Sequence, residues 1–345
     1  MNETQEVKQI LLRLCEEPGT SGDEDATAKI AKSMLAKYAD VRRDALGNVV
    51  ASIGPENAPF HLLLDAHIDQ IGLVVTLIDD RGFVHVAPCG GIDTRVLPGS
   101  RVIIYGKEPL CGIICCTPPH LSSGRETEVP PADAIRIDAG LSPEKAKELI
   151  SSGDRIIVPA PCRELLGTRI TGAALDNRAG CAAVVRCVQL LNREDLPLRL
   201  TVLLSSREET GRQGAATAAY TAAPDACITV DVSFAVQPGV PESCSSALGA
   251  GPMIGLSAAL DKAMSRELIR VAQAQEIPYQ VEAMGDTTGT NADLIGVARG
   301  GVRCALLSIP QRNMHTPAEI VDLKDIEHTA KLLAAYVRKK GQEVR

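Results

Sequence analysis

The stretch LRLTVLLSSREETGRQGA, Leu198 to Ala215, runs from an apolar, strand-like segment into two adjacent glutamates, Glu208 and Glu209, and then a glycine. A helix is expected from Gly214 onward. Further strand-like segments are FHLLLDAHID (60–69), ACITVDVS (226–233), IPYQVEA (277–283) and VRCALLSIP (302–310), the later ones interleaved with helical patterns. Strands alternating with helices indicate an α/β domain whose sheet is mostly parallel, with helices on both faces. Further helices are expected over residues 21–38, with Ser and Asp as caps, from about Leu175, over 261–275 and over 322–340. The Gly-rich SSALGAGPMIG at 245–255 reads as a loop.

Between Ile71 and Cys162 the texture changes to short β-branched runs, IGLVVTLI, GFVHVAP, RVIIYG and CGIICC, broken by Gly and Pro. Such runs suit a small β-barrel-like domain. The expected organisation is a discontinuous main domain, 1–70 and 163–345, with a β-rich insertion at 71–162.

The 345 residues carry 36 Lys and Arg against 43 Asp and Glu, a net charge of −7, so no basic field exists to attract a phosphate backbone. With no Trp, five Tyr and three Phe, stacking platforms for bases are also scarce. Nucleic acid is therefore not an expected partner. The opening MNETQEVKQILLRLCEE is charged throughout and no apolar run reaches a membrane span, so a cytoplasmic protein with no membrane partner is expected. Eleven Cys in such a chain read as reduced residues, and Cys111, Cys115 and Cys116 lack the paired spacing of a zinc finger.

Two adjacent carboxylates repel, and burial would push one of them toward neutrality. Ligands of open parallel sheets gather at the C-terminal ends of strands, and several such ends here carry metal-binding side chains. His67 and Asp69 follow LLLDA, Glu208 and Glu209 follow TVLLSSR, Asp231 lies within CITVDVS, and His315 follows CALLSIPQRNM. Asp176 stands at the start of a long helix. Singly, each has an ordinary explanation: a solvated histidine, or an aspartate favoured by a helix dipole. Asp231 is the exception, because an unpaired charge inside a strand is costly and a cation compensates it. Together they supply ligands for two zinc or cobalt ions, or manganese, with one carboxylate bridging. One glutamate then binds metal and its neighbour serves as base toward the attacking water. The two divide these roles only at an irregular strand end, which Thr210-Gly211 permits.

The blocks DAHIDQIGLVV, GAALDNRAGCAAV, REETGRQGA, TVDVS and SIPQRNMHTPAEIVDLKDI run in order over nearly the whole chain. They resemble the cytosolic dinuclear-metal aminopeptidases, the family of glutamyl aminopeptidase, the tetrahedral aminopeptidases and proteins once called cellulase M. The resemblance implies that His67, Asp176 and Asp231 hold one ion, that Asp176, Glu209 and His315 hold the other, and that Glu208 is the general base. Asp69 would receive the His67 imidazole proton, a role that also suits a partner two residues along. The resemblance further implies removal of N-terminal residues from short peptides, a dimerisation role for the insertion, and homo-oligomers from a dimer to a hollow tetrahedral dodecamer. The chain departs from the family at Gln70, where an acidic residue is usual, at Asn291 in GTNAD, where Asp is usual, and at Arg207 and Thr316. None of these is in the ligand set, and Gln70 and Asn291 are expected to border the substrate pocket.

Rival readings are a related zinc hydrolase, a deacylase or carboxypeptidase, on the same kind of sheet, and an inactive homologue kept for assembly. A cellulase would need aromatic sugar platforms that eight aromatic residues hardly supply. His61, His85, His120 and His328, outside the blocks, are expected to be surface or structural.

Overall fold

The computed structural model describes residues 3–122, 129, 131–192 and 194–344. Two helices open the chain, α1 (Glu3–Cys15) and α2 (Asp25–Leu35). The first is absent from the expectations above. It buries Val7, Ile10, Leu11 and Leu14, a three-to-four-residue spacing masked in the sequence by the charges between them. Helix α2 begins at Asp25, with Glu24 in the cap position and no side-chain cap bond, so the expected Ser or Asp cap is not formed. A hairpin, β1 (Asp40–Arg43) and β2 (Val49–Ile53), turns at Gly47, whose φ of +93° suits glycine. Strand β3 (His61–His67) follows, buried along its whole length.

Strands β4 (Gly72–Ile78), β5 (Val84–Cys89), β6 (Arg101–Tyr105), β7 (Pro109–Ile114), β8 (Arg136–Asp138) and β9 (Arg155–Ile157) close a barrel in the order β4-β5-β8-β7-β6-β9. Short helices α3 (Pro119–Ser122) and α4 (Pro143–Leu149) lie in its connections. The barrel has its own core, with Leu73, Val86, Val102, Ile104, Ile137 and Ile156 packed inside. The chain returns through β10 (Arg163–Glu164) and β11 (Arg169–Gly172).

The rest alternates: α5 (Leu175–Leu191), β12 (Arg199–Ser205), α6 (Gln213–Ala222), β13 (Ala226–Phe234), β14 (Met253–Ser257), α7 (Lys262–Ala274), β15 (Gln280–Met284), α8 (Ala292–Gly296), β16 (Arg303–Gln311), β17 (Glu319–Asp322) and α9 (Leu323–Glu343). The main sheet has eight strands in the order β1-β2-β12-β3-β13-β16-β14-β15, and its central four, β12-β3-β13-β16, are parallel. Strand β14 takes up Met253 to Gly255, so the end of the Gly-rich segment is strand rather than loop.

Alternation along β3 shows both faces covered. Leu62, Leu64 and Ala66 pack into the larger core with α1, α5 and α9, whereas Leu63 joins the smaller one with residues of α6 and α8. Among the described residues, no helix is long and apolar enough to cross a membrane.

Candidate metal centre

Because β12, β3, β13 and β16 are parallel, their C-terminal ends meet at one edge of the sheet. His67 ends β3 and pairs in register with Ser205, the last residue of β12. Asp231 sits inside β13 and pairs with Ser308 of β16. The glutamate pair lies beyond β12, after Arg207, whose φ of 58° breaks the strand geometry. Asp176 does not begin a regular helix: it and Asn177 have non-helical backbones, and a cis peptide bond joins them.

These breaks bring the side chains together. Asp176 Oδ1 is 3.1 Å from His67 Nε2, and its other oxygen, Oδ2, is 3.4 Å from His315 Nε2. Asp231 Oδ1 lies 3.6 Å from His67 Nε2, and Glu209 Oε2 lies 3.5 Å from His315 Nε2. One ligand atom each from His67, Asp176 and Glu209 falls within 4.8 Å of the other two. The five residues expected as ligands thus meet around Asp176.

The tautomers follow from the other ring nitrogens. His67 Nδ1 faces only acceptors, the Asp69 carbonyl at 3.3 Å and carboxylate Oδ1 at 3.5 Å, and His315 Nδ1 faces the Gly91 carbonyl at 3.0 Å. Each Nδ1 therefore donates outward, and each Nε2 points at a carboxylate oxygen, where it would offer its lone pair once a cation took the place of its proton. Gly91 is in the connection between β5 and β6, and a Cβ there would stand 2.8 Å from the His315 ring, so only glycine permits the approach.

Asp69 does more than face His67. Its carboxylate accepts the backbone N–H of Glu208 at 2.9 Å and of Glu209 at 3.2 Å, and the Ser21 hydroxyl. Glu208 does not join the ligand cluster. Its Oε1 accepts from Arg212 Nε at 2.8 Å, and Arg212 also donates to the Gly289 carbonyl and lies 3.6 Å from Asp293.

Burial raises the carboxyls of Glu208, Glu209 and Asp231 above their usual range, and for Glu209 the nearby Asp176 adds to it. Burial opposes ionisation of Asp176 as well, but His315 and His67 outweigh it and hold that carboxyl low. The contact with Asp176, against burial, raises His315 to about 9. For His67, burial works downward, yet Asp176 and Asp231 carry it well above its ordinary value. Among the described residues the two imidazoles are the only cations placed among these carboxylates besides Arg212 on Glu208. Excess buried negative charge with oxygen and imidazole donors turned to a common point is a donor set that suits a borderline divalent cation.

One residue escaped the sequence reading. Glu319, 2% exposed at the start of β17, accepts the N–H of Asp176 through Oε2 at 3.2 Å and the N–H of His315 through Oε1 at 3.1 Å. Its only signal in the sequence was its place four residues after His315. Of the departures, Gln70 borders a small cavity beside Asp176 and His315 and accepts from Arg178 at 3.3 Å. Asn291 instead turns inward, 1% exposed, donating to Asp65 and Ser205 at 3.0 and 2.9 Å. His61 is buried and hydrogen-bonded to Thr201. The cluster opens into a cavity of about 750 Å³ bordered by Phe234, Thr290, Leu294 and Met314.

An α/β sheet with such a cluster at the ends of its parallel strands is the framework of a metallohydrolase. The comparisons narrow this class. The chain belongs to the M42 glutamyl aminopeptidase family, which matches residues 47–332, and is a metal-dependent aminopeptidase of that family. It is 32% identical over 336 residues to the lysyl aminopeptidase of Pyrococcus furiosus, covering 95% of this chain and 96% of the relative. Its fold is similar to that of an aminopeptidase from the archaeon Desulfurococcus kamchatkensis, with a TM-score of 0.91, 30% identity, and 99% and 97% of the two chains covered. It is also similar to the Pyrococcus horikoshii TET1 peptidase, described as assembling into a tetrahedron or a large octahedral shell. There the TM-score is 0.86 at 29% identity, with 96% and 99% covered.

Proposed function

We propose that this aminopeptidase works with two divalent ions, zinc, cobalt or manganese, on short peptides. His67, Asp231 and Asp176 would hold one ion, and Glu209, His315 and Asp176 the other. The supporting observation is the orientation of Asp176, whose two carboxylate oxygens address two different histidines at 3.1 and 3.4 Å. Bound there, the ions would polarise the scissile carbonyl and bring the attacking water's pKa toward neutrality. Glu208, outside the ligand cluster and at the cavity wall, takes the proton from that water and returns it to the leaving amine. Asp69 keeps the His67 proton on Nδ1. The apolar wall of Phe234, Leu294 and Met314 accommodates the side chain of the peptide's first residue.

The same proposal divides the chain into a discontinuous catalytic domain, 1–70 and 163–345, and an inserted dimerisation domain, 71–162. The likeness to the TET1 peptidase supports a homo-oligomer built on such dimers.

Metal-stripped protein reloaded with zinc, cobalt or manganese and offered a panel of aminoacyl-anilides tests the reading. Cleavage of free-amino substrates at a stoichiometry of two ions per chain is expected. Equal cleavage of N-acetylated substrates would transfer the protein to the deacylases, and full activity with one ion per chain would remove the bridge.

A further inference from the structure

All eleven cysteines are free, and only five of them are buried. Two pairs have neighbouring thiols. Cys227 and Cys304 sit opposite each other on β13 and β16, both buried, with burial pushing the Cys227 thiol up. The second pair joins distant parts of the chain: Cys15 ends α1, Cys162 lies between β9 and β10, and both pack against the main core with thiols near enough to influence each other's ionisation.

The surroundings of the two pairs differ. Cys15 and Cys162 are half-buried and both border a cavity of about 450 Å³ between the end of α1, Tyr105 of the barrel and the returning segment. Gly172 leaves room for the sulfur, since a Cβ there would stand 2.7 Å from Cys162 Sγ. Beside them is the fully buried Arg178. Its guanidinium donates only to neutral oxygens, the carbonyls of Leu14 and Glu17 and the amide of Gln70, and its Nε has no partner. Among the described residues it forms no ion pair. A buried cation lacking a counter-anion stabilises a thiolate nearby. The Cys162 thiol is held below its usual value, chiefly by the neighbouring Cys15 and, against burial, by Arg178, while Cys162 and burial raise Cys15.

We propose that Cys15 and Cys162 are an oxidisable pair, which a low-molecular-weight disulfide converts into a disulfide stapling α1 to the chain that returns from the barrel. The Cys162 thiolate attacks one sulfur of the small disulfide, forming a mixed disulfide and expelling one thiolate. Cys15 then gives up its proton and attacks the Cys162 sulfur, forming the Sγ–Sγ bond and expelling the second thiolate. Two electrons pass to the small disulfide, and the two protons end on the released thiols. Cys227 and Cys304 are both buried in the sheet, out of reach of a small disulfide, so they remain reduced under the same treatment.

The test uses the reduced full-length protein, incubated with glutathione disulfide, alkylated and mapped by mass spectrometry without reduction. A peptide linking Cys15 to Cys162, lost on dithiothreitol treatment, is expected, with Cys227 and Cys304 still alkylatable after unfolding. Unfolding of the oxidised form shifts to a higher midpoint, because a long loop has been closed, and returns on reduction. In Cys15→Ser the reaction stops at glutathione on Cys162, and in Cys162→Ser no adduct forms at Cys15. Free thiols at both positions after exposed Cys115 or Cys116 has reacted would overturn the pair. An unmodified Cys162 in Cys15→Ser would overturn its role as the attacking thiol.

Discussion

The guanidinium of Arg212 donates through Nε to Oε1 of Glu208 at 2.8 Å, across the turn that leads into α6. With Glu209 turned toward His315 instead, the two adjacent carboxylates face different partners. The separation of roles that the sequence could only require is thereby built into the turn. Replacing Glu208 with Gln is expected to lower kcat by about a thousandfold while metal content stays near wild type. Elemental analysis beside steady-state kinetics checks this, and near-normal turnover would withdraw the base role.

Arg212 orients that carboxylate without touching the ligand cluster. Arg212→Ala should cost roughly tenfold in kcat, the scale of one charge-assisted hydrogen bond, with the ions retained. Metal loss in this variant would show that it holds the centre rather than the base.

Glu319 ties the Asp176 segment to the His315 segment by accepting one backbone amide from each. In Glu319→Gln one acceptor becomes an NH₂ group facing an N–H, and one of the two ligand segments loses its anchor. Metal affinity is expected to fall roughly ten- to a hundredfold, measured by competition with a chelator. An unaltered affinity in both Glu319→Gln and Glu319→Ala would make it a bystander.

Asp176→Ala removes the carboxylate that, alone among the described residues, is addressed by both histidines. Both metal occupancy and rate should collapse, where a residue serving a single ion would leave about half the metal. Two ions per chain in this variant would rule out bridging.

His61 offers a pH test far from the ligands. Burial pushes its imidazole down to about 4 from 6.5, Arg199 adds to this and Asp225 opposes it, while Nε2 pairs with Thr201 at 2.8 Å. The unfolded chain therefore binds this proton more readily. Its contribution to stability is complete above about pH 6.5 and is lost as pH falls toward about 4, at no more than about 1.4 kcal/mol per pH unit. Denaturant titrations of wild type and His61→Gln should diverge only in that window; parallel curves would refute the assignment.

The parallel core was legible because each of its strands is a short apolar run ending in polar chemistry, and that ending marked the ligand-bearing edge. The barrel was legible from its β-branched, Gly-broken texture. Helix α1 was not, since its four buried positions stand among charged neighbours and only packing against α5 and α9 selects that stripe. Nor was the irregular backbone at Asp176, where a helical pattern begins two residues before the helical geometry does. Glu319 stayed hidden because it acts on main-chain amides, which leave no residue signature. Asn291, a departure from the family pattern, was expected at the pocket, yet its side chain belongs to the buried Asp65–Ser205 network.

The contact between the Gly91 carbonyl and His315 joins a loop of the barrel to a ring at the end of the main sheet. An excised version, with residues 72–157 replaced by a short turn, would keep every proposed ligand and the eight-stranded scaffold. It would nevertheless leave one imidazole free to choose the wrong nitrogen for its hydrogen. The insertion is thus wired into the chemistry from within its own subunit, whatever else its outer surface does.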